Sequence, residues 1–83
     1  MQVEYLNEPI KVRADFEGGR ARPVLFKHAG RVYAMERLAA AWEDREGGAR
    51  VLYFTVEAAG AVYQLRFQTA DGLWYLEAVM MDG

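Results

Sequence analysis

The chain has 83 residues, of which 53% are hydrophobic and 27% charged, with a net charge of -2. That length holds one small domain, residues 1–83, and that composition is too apolar for a disordered chain. It contains no cysteine, no serine and one histidine, His28, which excludes disulfides, thiolate metal sites and serine or cysteine nucleophiles.

Residues 10–16 alternate strictly. Ile10, Val12, Ala14 and Phe16 take one side, and Lys11, Arg13 and Asp15 the other. A period of two predicts a half-buried strand. Gly18, Gly19 and Pro23 bracket a loop. Residues 24–35 then read as a hairpin about Ala29-Gly30, with Phe26 opposite Tyr33 and Val24 opposite Met35 on one face.

Over 35–46 the period changes. Met35, Leu38, Ala39 and Trp42 follow helical spacing, and Gly47 suits a C-terminal stop, so a helix is predicted near 35–46. No good N-cap precedes it, and Glu43, Asp44 and Glu46 oppose the macrodipole at its end. The rival is a strand continuing from residue 31 through a bend.

Residues 50–82 carry the clearest pattern. A two-residue turn at Ala59-Gly60 sets Phe54 against Leu65, Val56 against Tyr63 and Leu52 against Phe67. Asp71-Gly72 marks the next turn. It brings Trp74, Leu76, Ala78 and Met80 to that same apolar side. The result is a three-stranded antiparallel meander whose hydrophobic face another layer must cover. The fold expected is α+β: a small curved antiparallel sheet of about five or six strands with one helix. An all-β small barrel is the alternative.

The opposite face of the meander is the candidate contact surface: Tyr53, Gln64, Arg66, Gln68, Tyr75 and Glu77. Arg66 lies opposite Tyr53, with Tyr75 or Glu77 on its other side depending on register. A guanidinium between aromatic rings can stack a planar group, and the glutamines can bond its edge; the same residues also serve as ordinary cross-strand stabilisers. Glu57 and Glu77 sit ~9–10 Å apart by strand spacing, but a flat sheet lacks the cleft that acid–base chemistry needs. A secondary basic edge is Arg20, Arg22, Lys27 and Arg31, suited to an acidic partner or to discouraging edge aggregation. His28, beside its turn, has no companion ligands in sequence, so neither metal nor cofactor is expected.

The runs Glu8-Pro9-Ile10-Lys11-Val12, Arg22-Pro23-Val24-Leu25-Phe26-Lys27-His28-Ala29-Gly30-Arg31-Val32-Tyr33, Trp42, Val62-Tyr63-Gln64-Leu65 and Gly72-Leu73-Trp74-Tyr75-Leu76 resemble, in that order, a family of short bacterial proteins of unknown function. Here His28 replaces the family's usual tryptophan, and Ala40-Ala41-Trp42 departs from its pattern. Some members of that family are associated with translesion-type DNA polymerases. The resemblance implies an accessory role in DNA repair and identifies no catalytic residue.

The expectation is a non-enzymatic interaction module with a protein partner or a second copy, through a sheet edge or the methionine-bearing tail 79–83. Single-stranded nucleic-acid binding through the Tyr53–Arg66–Tyr75 row is the alternative. Residues 1–37 hold seven Lys/Arg against five acids, and residues 38–83 hold three against seven. The pI is about 5.3, so no global nucleic-acid footprint exists. No signal peptide or membrane span is read, and the expected location is the cytoplasm.

Overall fold

The computed structural model describes residues 2–81. It contains seven antiparallel strands and, among the described residues, no helix: β1 (Gln2–Glu17), β2 (Arg20–His28), β3 (Arg31–Ala34), β4 (Arg37–Glu46), β5 (Ala49–Ala58), β6 (Ala61–Gln68) and β7 (Leu73–Met81). The sheet order is β3-β2-β1-β7-β6-β5-β4, and the sheet curls into a half-barrel. The α+β expectation is overturned; the all-β alternative holds for the described residues, as an open curl of seven strands rather than a closed barrel or a sheet of five or six. Among the described residues no helix is long and apolar enough to cross a membrane.

β1 couples the two halves of the curl. Its first part, residues 2–10, pairs with β7, and its second part, residues 11–17, pairs with β2. Asn7, at φ 49°, sits in the register break between Tyr5 and Glu8. Asparagine tolerates that left-handed conformation better than most residues, and such breaks bend a strand. Leu6, Ile10, Val12 and Ala14 turn to the core, in line with the alternation; Phe16 is exposed, with one ring contact to Phe67 at 6.2 Å.

The predicted hairpins form. Ala29-Gly30 and Ala59-Gly60 both take positive φ at each central residue, the geometry of a type I′ turn. Phe26 pairs with Tyr33, Phe54 with Leu65, Val56 with Tyr63, and Leu52 with Phe67. Phe26 stacks on Tyr33 at 4.8 Å and meets Tyr63 edge-on at 5.1 Å. Those contacts fold the β2–β3 hairpin over β6 and close the core around Phe26, Val56, Leu65 and Leu76, each 0% exposed. At roughly 25 cal/mol per Å2 of apolar surface, this enclosure is the main stabilising term.

The predicted helix near 35–46 is strand β4, reached through a bend at Met35-Glu36. Met35 N–H donates to Val24 C=O at 3.0 Å, while Glu36 N–H donates to Glu57 C=O at 2.8 Å. The chain thus passes from the β2 side of the half-barrel to the β5 side in two residues. Gly47 and Gly48, at φ 58° and 85°, make another two-residue hairpin turn to β5 rather than a helix stop. The helical spacing of Met35, Leu38, Ala39 and Trp42 arises from this bend and from a bulge between Leu38 and Ala40, which together shift a period of two. Pairing with β5 overrides the alanines' weak helix preference.

Bulges correct two further expectations. Ala14 pairs with Pro23 and Arg13 with Leu25, so Val24 is the extra residue and is exposed while Pro23 is buried. In β7 the register breaks at Glu77: Leu65 pairs with Leu76, then Gln64 with Ala78. Parity reverses there, and Val79, not Ala78 or Met80, joins the core cluster. The tail through Met81 is an inner strand held between β1 and β6; Asp82 and Gly83 lie outside the described residues.

Candidate interaction surface

Strand register aligns four side chains across the convex side of the sheet. Trp42 pairs with Tyr53, Tyr53 with Arg66, and Arg66 with Tyr75. The Trp42 and Tyr53 rings stack at 5.4 Å with 9° between planes. The Arg66 guanidinium lies over the Tyr75 ring, 4.6 Å from its centroid. Sequence reasoning placed Tyr53, Arg66 and Tyr75 together but missed Trp42, because parity on β4 is legible only once that segment is known to be a strand.

The bulge at Glu77 brings its carboxylate onto the row as well. Arg66 Nη1 donates to Glu77 Oε2 at 2.9 Å, and Gln64 Nε2 donates to Glu77 Oε1 at 2.7 Å. The Arg66 and Glu77 side chains are 19% and 18% exposed. Arg66 Nε is buried with no hydrogen-bond partner. Gln68 Nε2 donates to Asp71 Oδ2 at 3.0 Å, and the Tyr53 hydroxyl donates to Glu46 Oε1 at 3.3 Å. All six predicted residues therefore lie on one side and are tied to one another or to their immediate neighbours. Burial pushes the Tyr53 phenol above its ordinary value; the Glu46 and Glu77 carboxylates add to this, and Arg66 opposes it.

Two consequences arise for recognition. The Arg66 charge is matched by Glu77, so this side offers little to a phosphate backbone. What stays open is apolar: Trp42 is 45% exposed and Leu73 50%.

The basic edge is rearranged. Arg20, Arg22 and Lys27 share the outer side of the β1–β2–β3 part with Lys11 and Arg13. Arg22 faces Asp15 and Arg20 faces Glu17, whereas Lys11 is directly opposite Lys27. Like charges so placed cost stability. Arg31 does not belong to this group: paired with His28 on the other side of β3, it lies over the Tyr33 ring at 5.0 Å. The alternating Lys11-Val12-Arg13 already carried the signal for the two missed cations.

His28 Nε2 lies 3.0 Å from Glu8 Oε2, tying the β2 end to the β1 corner. Among the described residues no group of three or more His, Cys, Asp or Glu gathers as metal ligands do. Glu57 and Glu77 each face a cation, Arg37 at 3.4 Å and Arg66 at 2.9 Å. A cavity of about 660 Å3 between the β1–β2 turn and β4 holds Asp15 and Glu17, the carboxylates opposite Arg22 and Arg20.

The chain matches no family model, no curated protein and no solved structure.

Proposed function

We propose that this protein is a non-enzymatic interaction module that binds a protein partner through the convex Trp42–Tyr53–Arg66–Tyr75 row. The observation that carries the reading is the row itself, four residues in register on four paired strands. Tryptophan, tyrosine and arginine dominate the binding energy of protein interfaces when they sit on a preorganised support with a polar rim. Here Gln64, Gln68, Glu46 and Glu77 flank the row, and Glu46 accepting from the Tyr53 hydroxyl and Glu77 accepting from Arg66 hold two of its four side chains before any partner arrives. The pairing of Arg66 with Glu77 favours a protein over a single nucleic-acid strand. The resemblance to polymerase-associated bacterial proteins makes a translesion-type DNA polymerase the first bait.

A photo-crosslinking amino acid in place of Tyr75 tests this, with Val32 as the control because it is exposed (58%) on β3. A discrete adduct with the polymerase from position 75 and none from position 32 supports the proposal. Equal labelling from both positions, or none from either, refutes it. Saturable binding of an oligothymidylate that weakens steeply with salt would instead favour the nucleic-acid alternative.

A further inference from the structure

β4 is the last strand of the sheet, and each of its ten residues is exposed. An unpaired edge of this kind is a template for another strand unless lysine, proline or an inward charge blocks it. A bulge at Ala39 interrupts the strand's start, but Ala40-Ala41-Trp42 beyond it contains none of these, and the inward charge that follows, Glu43, is already matched by Arg50 at 2.7 Å. From this edge we infer that the chain pairs with a second copy of itself, β4 against β4 antiparallel, with Trp42 on the two-fold axis.

The phase of the free hydrogen-bonding groups leads to that arrangement. In a two-residue hairpin the flanking pair, here Glu46 and Ala49, is hydrogen-bonded, and bonding alternates along the ladder. Asp44–Val51 and Trp42–Tyr53 are then bonded pairs. Ala41, Glu43 and Arg45 pair with Phe54, Leu52 and Arg50 without ladder bonds. Their N–H and C=O groups project to the open edge.

A two-fold axis normal to the sheet keeps each copy's convex side continuous, so only partners of the same facing can oppose. Centring the axis on Glu43 opposes two like carboxylates. Centring it on Ala41 leaves only Ala40, Ala41 and Trp42 to pair before the Leu38–Ala40 bulge, where facing reverses. Centring it on Ala40 drives the pairing through the Leu38–Ala40 bulge, where facing reverses. Centring it on Trp42 sets Ala41 against Glu43 and Ala40 against Asp44, with no like charges directly opposed. That register stays within the bulge-free stretch from Ala40 onward. Glu43, moreover, is already paired with Arg50 at 2.7 Å.

In this register Trp42 meets its own copy in a non-bonded pair, where side chains approach most closely. Its ring is 45% exposed and already stacked on Tyr53. The aromatic row then runs unbroken across the axis from one Tyr75 to the other. This inference rests on the β4 edge and does not require the partner proposed above.

Sedimentation velocity across the micromolar range tests it. The wild type is expected at twice the 9.4 kDa chain mass. Ala41→Pro is expected at the monomer mass, because it deletes an edge N–H that makes no bond to β5. The absence of cysteine allows a second test that does not depend on that variant folding. Oxidised Trp42→Cys is expected to form a linked dimer, while Asp44→Cys, which opposes Ala40, is not. A wild type monomeric throughout, a folded Ala41→Pro that dimerises like wild type, or Asp44→Cys linking as readily as Trp42→Cys would each overturn the inference.

Discussion

Replacing Glu77 with glutamine strands the Arg66 guanidinium in a site that is 19% exposed and already leaves its Nε without a partner. With the charges near ~4 Å apart and an effective dielectric of about 20, their attraction is about 4 kcal/mol. The loss is smaller, because glutamine still accepts one hydrogen bond, the cation–π contact with Tyr75 survives, and the cost of burying the carboxylate disappears. The expected net destabilisation is about 2–3 kcal/mol. For a domain this size it lowers Tm by about 10–20 °C. Urea unfolding followed by tryptophan fluorescence measures it. The loss should change little with added salt, since partly buried pairs are weakly screened. The double variant Arg66→Met with Glu77→Leu should recover most of the loss, because no unpaired charge remains. A Glu77→Gln loss under about 0.5 kcal/mol would place the pair with ordinary surface ion pairs and refute the reasoning.

Burial raises the pKa of both Tyr53 and Tyr63, and the neighbouring Tyr33 adds to the shift at Tyr63. A phenol with a raised folded-state pKa contributes stability that is present below its unfolded value near ~10 and lost as pH climbs through the folded value. Urea midpoints should therefore fall above about pH 10, and the phenolate absorbance of a Tyr53→Phe variant should lack a late-titrating step that the wild type shows. Ala59 sits at φ 48°, where a Cβ is strained. Ala59→Asn should raise stability by about 0.5–1 kcal/mol, since asparagine favours the first central position of a type I′ turn; a lowered urea midpoint would contradict that turn assignment.

Much of the C-terminal meander was legible in the linear pattern. Ala59-Gly60 could be only a tight turn, and the alternation of large apolar residues admitted one register around it, so Phe54–Leu65, Val56–Tyr63 and Tyr53–Arg66 resulted. The Ala29-Gly30 hairpin was legible for the same reason. Local turn chemistry and period-two burial are encoded residue by residue, and neither needs a distant partner to be read.

Other features depend on distant neighbours. Residues 37–46 carry alanines, acids and a near-helical stripe, and they become a strand because β5 offers a ladder and Gly47-Gly48 turns the chain back onto it. The bulges at Ala39, Val24 and Glu77 each insert one residue where two twisted strands must stay in step, and each reverses the facing of the strand beyond it. That reversal sent Ala78 and Met80 off the core side and seated Val79 there instead. It also set Glu77 beside Arg66 and turned the candidate contact row into a neutral one. Composition and spacing specified the hairpins; sheet curvature, settled only by packing of the whole chain, chose which residues close the core and which face a partner.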